Sequence, residues 1–148
     1  MKKKLSIITI VFIVSIILSS VAFAGFALNR KEWGLIDYVG RAEFYIEIPS
    51  VNKNGGIVEA SSCMYYPEGY QCNMKHRGSK NEHYHFVLYH INYNYNSYDV
   101  KAYVIRDSSG NDIKTDYFED DEMTYSPIPR NTPFEKFCVT ALKLAGIY

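Results

Sequence analysis

Apolar and polar side chains alternate along several stretches of this chain, which is typical of strands that bury one face. The clearest alternation runs over residues 41–48, where Ala42, Phe44, Ile46 and Ile48 have one parity and mainly charged residues have the other. Because successive side chains on a strand point to opposite faces, this segment is predicted to be a strand with one face in the core.

Turn signals divide the middle of the chain into two predicted hairpins. An Asn-Gly-Gly turn at 54–56 separates two extended segments, so residues 41–66 are predicted to form the first hairpin. Residues 83–92 and 99–106 are rich in aromatic and β-branched residues, which favour strands, and a polar turn lies between them. Residues 83–106 are therefore predicted to form the second hairpin.

The hydrophobic period changes to that of a helix near the C-terminus. Thr132 and Glu135 form a capping box, and Pro133 occupies the first helical position. Apolar residues at helical spacing then predict a helix over 133–145 with one apolar face. We therefore predict an α+β fold, in which an antiparallel sheet of four to five strands, including a short strand at 113–118, is packed by this C-terminal helix.

A second, weaker helix signal lies before the first hairpin. Residues 30–38 contain Trp33, which could anchor a short helix against the core. Gly34 weakens this expectation because glycine is a poor helix former.

The first 24 residues have the features of a secretory signal peptide. Lys2–Lys4 precede an apolar run over 5–18, and Ala22-Phe23-Ala24 matches the small-x-small pattern of a cleavage site. The alternative is a retained membrane anchor, because a span needs about 20 apolar residues and the run is nearly that long. We favour cleavage, which predicts a single globular domain over 25–148 that is exported to a periplasm or to the cell exterior.

Composition argues against several classes of partner. The chain has 16 basic and 16 acidic residues, and loss of the three lysines at 2–4 would leave a small net negative charge. This charge provides no electrostatic basis for binding nucleic acid or, after signal cleavage, an anionic membrane. We also find no nucleophile-elbow or cofactor motif, and we predict neither an enzyme nor a bound cofactor.

Export would place the cysteines in an oxidising compartment. The chain has three of them, Cys63, Cys72 and Cys138, so one disulfide leaves one thiol over. Cys63 and Cys72 flank a Pro-Glu-Gly segment that can turn the chain back, and we predict that these two form a disulfide. Pairing of Cys138 with either of the others is the alternative.

The segment EHYHFVLYHINYNYNSY, residues 82–98, contains three of the four histidines. His83 and His85 share one face of the predicted strand, whereas His90 has the opposite parity. Zinc takes three or four protein ligands in tetrahedral geometry, and this strand face supplies two. We therefore predict no metal site, although a ligand from elsewhere in the chain would change that interpretation.

The same stretch predicts a binding face. Tyr84, Phe86 and Leu88 are expected to pack under the helix, which would leave the odd-numbered row open. Large contiguous aromatic surfaces are rarely left exposed without a partner, and tyrosine is well suited to recognition. The alternative is a strand buried on both faces, which gives the same pattern. The rings predicted to form the binding face are His83, His85, Tyr89, Tyr93, Tyr95 and Tyr103.

Three functions fit this expected face. The first is binding of a partner protein, as an inhibitor or immunity protein does, with the acidic residues Asp120 and Asp121 at the rim. The second is a glycan-binding module or the binding subunit of a toxin, in which asparagines at 92, 94 and 96 would bind sugar hydroxyls. The third is a metal-assisted or acid–base enzyme.

An acid–base enzyme would need a pair of carboxyl groups at a fixed separation. Glu43, Glu47 and Glu59 could face one another across the first hairpin. Their more ordinary role is to form the solvated face of the strands, and that is the role we expect.

Overall fold

The computed structural model describes residues 28–29, 31–70 and 81–148. In this part of the chain, one antiparallel sheet of seven strands is packed by one α-helix near the C-terminus. Six strands form a meander in chain order, and the short seventh strand pairs with the fifth. The strands are β1 (Trp33–Val39), β2 (Ala42–Asn54), β3 (Ile57–Tyr65), β4 (Tyr84–Asn92), β5 (Ser97–Arg106), β6 (Asp112–Tyr117) and β7 (Ser126–Pro127), and the helix is α1 (Pro133–Leu144).

Both predicted hairpins and the predicted C-terminal helix are confirmed. β2 pairs with β3, and β4 pairs with β5 across the turn between Asn92 and Ser97. At the start of α1 the Thr132 hydroxyl accepts the Glu135 N–H at 3.1 Å, as a capping residue does. The helix is followed by Gly146 with a φ of 72°, a backbone conformation that suits glycine.

The predicted strand count of four to five is too low, and the short helix near residues 30–38 is wrong. That segment is β1, which pairs with β2 from Trp33 opposite Glu47 to Val39 opposite Ala42. The register shifts between Leu35 and Asp37, so a bulge interrupts the alternation of side chains that would have identified a strand.

The helix packs on one face of the sheet, which we call the helix face. This face carries Phe44, Ile46, Val58 and Ala60 from β2 and β3, together with Ile91 from β4. On the helix side the core is completed by Phe137, Cys138, Ala141 and Leu142, all of them buried.

The prediction that Tyr84, Phe86 and Leu88 lie under the helix is wrong. The register places Ala60 opposite Tyr89 and Val58 opposite Ile91, so the odd-numbered row of β4 shares the helix face. The physical reason lies on the neighbouring strands: the opposite face of β2 and β3 carries Glu43, Glu47 and Glu59. An apolar helix stripe packs better on the face without these carboxylates.

The opposite face, which we call the second face, has a core of its own. Tyr84, Phe86 and Leu88 are buried there, beside other buried residues from β3 and β5. Trp33 of β1 reaches across β2 and β3 to contact Phe86, with 5.6 Å between ring centroids. The Arg106 guanidinium lies 5.2 Å from the centre of the same ring. β4 is therefore buried over much of both faces, which is the alternative that the sequence left open.

Cys63 and Cys138 are both buried free thiols, and they lie in different cores on the two sides of the sheet. Burial raises the pKa of the Cys138 thiol to about 12 and that of the Cys63 thiol well above its ordinary value. The described residues show no disulfide, and Cys72, the predicted partner of Cys63, lies outside them. The same is true of the predicted signal peptide over residues 1–24.

Within the described ranges, no helix combines the length and the apolar composition that a membrane crossing requires.

Candidate functional site

The helix covers only part of the helix face. It lies over β1, β2 and β3, and its first turn reaches β4 and β5 through contacts of Phe134 with Tyr89 and Tyr98. The rest of this face, over the ends of β3, β4 and β5, carries half-buried rings and aliphatic side chains. We call this surface the aromatic patch; its residues are Tyr66, Tyr70, His85, Val87, Tyr103 and Ile105.

Register explains why these side chains lie together. Met64 of β3 packs on the helix-face core and is paired with His85, which in turn is paired with Ile105 of β5. Val87 is paired with Tyr103 in the same way. The patch is therefore continuous with the helix-face core.

One end of the patch is a cluster of three rings. Tyr66, Tyr70 and His85 are 4.9 to 5.0 Å apart between ring centroids. The His85 Nε2 atom lies 3.0 Å from a carboxylate oxygen of Glu82. Burial lowers the pKa of His85, and the nearby Glu82 carboxylate opposes that change. The imidazole is thus mainly neutral at neutral pH and acts as an aromatic and hydrogen-bonding group.

The other end of the patch borders an acidic edge. Tyr103 is covered on one side by Lys114, whose ammonium lies 5.2 Å from the ring centre, and it contacts Phe118. The chain around Phe118 is acidic, and this edge of the sheet is largely exposed. Its carboxylates, which we call the acidic rim, are Asp116, Glu119, Asp121 and Glu122.

A cavity of about 490 Å³ opens beside Tyr66. Its lining includes Val39 and Ala42 at the β1–β2 turn and Pro67 after β3. Arg41 and Glu68 form an exposed ion pair of 2.7 Å and also line this space. The cavity adds a recess to an otherwise open sheet surface.

The structure divides the predicted binding face. His85 and Tyr103 lie in the aromatic patch. Tyr89 instead packs beneath the helix, 4.8 Å from the Phe134 ring and 5.4 Å from the Phe137 ring.

Other predicted rings lie at the ends of β4. The hydroxyl of Tyr93 donates to the Gly55 carbonyl at 2.8 Å, which holds two turns together. Tyr95 is 80% exposed at the tip of the β4–β5 turn, away from the patch. His83 is partly exposed next to the first residue of β4.

The sequence interpretation missed two of the patch rings. Tyr66 is the last residue of the predicted hairpin and has the same parity as Met64, so parity alone would have placed it on the same face. Tyr70 lies in an irregular segment, where no periodicity indicates which way a side chain points.

The second face holds a polar group that we call the carboxylate cluster. At its centre, Glu59 of β3 lies opposite His90 of β4, and 2.7 Å separates Glu59 Oε1 from His90 Nε2. Both residues are buried, with exposures of 7% and 9%. The expectation that Glu59 belongs to a solvated strand face is therefore wrong.

A bulge brings Lys101 into this cluster. Leu88 is paired with Ala102 and Tyr89 with Val100, so Lys101 is the extra residue on β5. Its ammonium forms an ion pair with Asp120, one of the two predicted rim residues. Bulges redirect a side chain in this way at many functional sites.

Electrostatic effects connect the remaining members of the carboxylate cluster. The pKa of Asp120 is lowered, first by the hydrogen bond from Lys101 and also by His90. The pKa of Tyr125 is raised, first by burial and then by Asp99, Asp120 and Glu59. The members of the carboxylate cluster are Glu59, His90, Asp99, Lys101, Asp120 and Tyr125.

Among the described residues, three buried side-chain oxygens of the second face lack a hydrogen-bond partner. They are Glu59 Oε2, Ser61 Oγ and Asn92 Oδ1. Buried acceptors of this kind are rare in folded proteins, and each calls for an explanation.

The part of the chain that the structure describes contains no group of three or more His, Cys, Asp or Glu residues arranged to hold a metal ion. No known family model matches this chain, and neither a curated protein nor a solved structure shows significant similarity to it.

Proposed function

We propose that this chain is a small exported binding protein that uses the aromatic patch to bind a partner protein, as inhibitor and immunity proteins do. The observation that carries the proposal is the patch itself: rings and aliphatic side chains continue from the helix-face core onto a surface that α1 leaves open. Such surfaces in single-domain proteins usually mark interaction sites.

The composition of the patch favours a protein ligand. Tyrosine and histidine combine large contact area with few rotatable bonds and polar tips, which suits the centre of a protein interface. The adjoining cavity beside Tyr66 would accept one protruding side chain of the partner.

The acidic rim adds a preference for charge. Asp116 is exposed and is paired with Tyr103, and Asp121 is exposed in the acidic segment that follows Phe118. In the described part of this edge, Lys114 is the basic neighbour of the Tyr103 ring. Charged rims steer association and select partners more than they add affinity. A partner with a basic surface around an apolar centre fits this arrangement.

A glycan ligand fits less well. The glycan hypothesis relied on Tyr89 and Tyr93 for stacking, and both rings are engaged in packing or in holding a turn. The asparagines of the 93–97 turn lie at the opposite end of β4 from the three-ring cluster.

The test is a comparative capture experiment with the mature chain as bait. The double variant Tyr66→Ala/Tyr103→Ala removes two patch rings, and Tyr95→Ala removes an exposed ring outside the patch. Proteins retained from the native culture are quantified by mass spectrometry, and circular dichroism confirms that each bait is folded. We expect one partner to be retained by the wild type and by Tyr95→Ala and lost from the double variant.

Equal retention of that partner by the folded double variant would overturn the proposal. Specific hits on a glycan array that disappear in Tyr93→Ala would replace it with the sugar-binding alternative.

A further inference from the structure

We propose that the carboxylate cluster is a second contact point that receives a cationic side chain, arginine or lysine, of the partner protein. This inference rests on the proposed function, because it names the chemistry that a partner bound at the aromatic patch would present to the second face.

The cluster extends from solvent to the protein interior. The Asp120 side chain is 86% exposed, and Tyr125 is 37% exposed at the same end. Glu59 lies at the buried end, where its Oε2 atom has no hydrogen-bond partner among the residues that the structure describes. An incoming donor would thus meet the exposed Asp120 carboxylate first, and it would reach the enclosed Glu59 Oε2 atom only after side chains of the cluster move apart.

Negative charge exceeds positive charge in this group. Glu59 is paired with His90, and Asp120 is paired with Lys101. Asp99 has no cationic partner in the described part of the chain, and its two oxygens accept backbone N–H groups from Val100 and Thr124. The described cluster therefore holds one carboxylate without a cationic partner and one enclosed oxygen without a donor, and carboxylate oxygens have the lone pairs to accept further hydrogen bonds.

The chemistry of the cluster suits an ammonium or a guanidinium better than a metal ion. The chain already places an ammonium here, that of Lys101, which shows that the site accommodates this group. A guanidinium has several N–H donors in one plane and can bond two carboxylates together.

The cluster and the aromatic patch can be reached along the same edge. Tyr103 of the patch and Lys101 of the cluster lie two residues apart on β5. Phe118 connects them, since its N–H donates to the Lys101 carbonyl at 2.8 Å and its ring contacts Tyr103. A partner that binds around this edge can contact the rings on the helix face and the carboxylates on the second face.

The test uses two small probes and NMR spectroscopy of the mature chain. Nα-acetylarginine amide carries the guanidinium, and Nα-acetylcitrulline amide has a similar shape without the charge. Ring signals of His90 and Tyr125 report on the cluster. We expect saturable shifts with the arginine probe and none with the citrulline probe.

Two variants locate the binding. Glu59→Gln and Asp99→Asn each remove one negative charge from the cluster and should weaken the arginine probe about tenfold, the usual scale for a lost charge-assisted hydrogen bond. Glu32→Gln removes the same charge from an exposed position just before β1, at the opposite edge of the sheet, and should leave probe binding unchanged. Asp99 lies nearer the surface than Glu59, so Asp99→Asn can still test the inference if Glu59→Gln does not fold.

Equal shifts with both probes, or undiminished binding in Asp99→Asn, would overturn the inference. Equal weakening by Glu32→Gln would also overturn it, because the effect would then be one of overall charge. The Tyr66→Ala/Tyr103→Ala variant separates the two proposals: it should lose the partner and retain the probe. If the wild type captures its partner but does not bind the probe, this inference fails and the proposed function stands.

Discussion

Tyr89 and Tyr103 have the same side chain and lie on the same face of the sheet, yet their surroundings differ. Tyr89 packs among aromatic rings of α1, whereas Tyr103 lies half-exposed beside Lys114 and Phe118. The position of one short helix makes the difference, because α1 covers the half of the helix face that contains Tyr89 and leaves the half that contains Tyr103 uncovered. Parity along a strand therefore identifies a shared face, but a packing partner decides which part of that face is core.

The largest expected effect comes from the centre of the covered half. Phe137 is fully buried and its ring lies 5.5 Å from that of Phe44. Phe137→Ala should lower the free energy of unfolding by about 3–5 kcal/mol, through lost burial and a new cavity. Urea unfolding followed by circular dichroism measures this change, and a loss below about 1 kcal/mol would show that α1 does not close the core.

A direct comparison of the two tyrosines comes next. Tyr89→Ala should cost about 3 kcal/mol of stability, because it empties the space between the sheet and two phenylalanines of the helix. Tyr103→Ala should cost about 1 kcal/mol or less and should instead weaken capture of the partner. Paired unfolding and capture measurements check both halves of this expectation. Similar stability losses for the two variants would remove the distinction between a covered and an open half.

The start of the helix sets the boundary between the two halves. Thr132→Ala removes the hydroxyl that accepts the Glu135 N–H and should cost about 1 kcal/mol. Thr140→Ala is the matched control, since its hydroxyl bonds the Lys136 carbonyl within the helix and its removal should cost much less. Urea midpoints of the two variants decide the question, and equal losses would argue against a specific role of the cap.

The smallest effect concerns pH in the open half. Burial lowers the pKa of His85 below its ordinary value near 6.5, so the unfolded chain binds a proton more readily there. The stability that the neutral His85 side chain contributes should be fully present above the pKa of His85 in the unfolded chain. It should be lost as the pH falls from that pKa towards the pKa of His85 in the folded protein. His85→Gln should reduce the slope of unfolding free energy over this range, and His83→Gln is the control. An unchanged slope in His85→Gln would assign the pH dependence to other groups.

Local signals were sufficient to predict much of the fold. Alternation in β2, the turn at 54–56 and the cap at Thr132 each act within a few residues, and the elements that they predict are present. β1 was missed because the bulge near Ile36 breaks its alternation.

The candidate sites depend on distant residues and were harder to predict. Glu59 and His90 are 31 residues apart, and only the register of β3 with β4 places them opposite each other. The position of Lys101 depends on a single extra residue in β5, which no pattern in the sequence indicates. The strand positions of Tyr66 and His85 could each be predicted, but the contact between their rings depends on the pairing of β3 with β4.

The meander has a consequence for the order of folding. Each strand of the β1–β6 series pairs with its neighbour in the chain, so the sheet can assemble hairpin by hairpin, with short loop closures everywhere except between β3 and β4. The helix is different: the Lys136–Asp37 ion pair closes a separation of 99 residues. Phe44 and Ile46 therefore stay uncovered until residues 133–144 have been synthesised and α1 has packed on them, so the helix-face core is completed after the strands have paired.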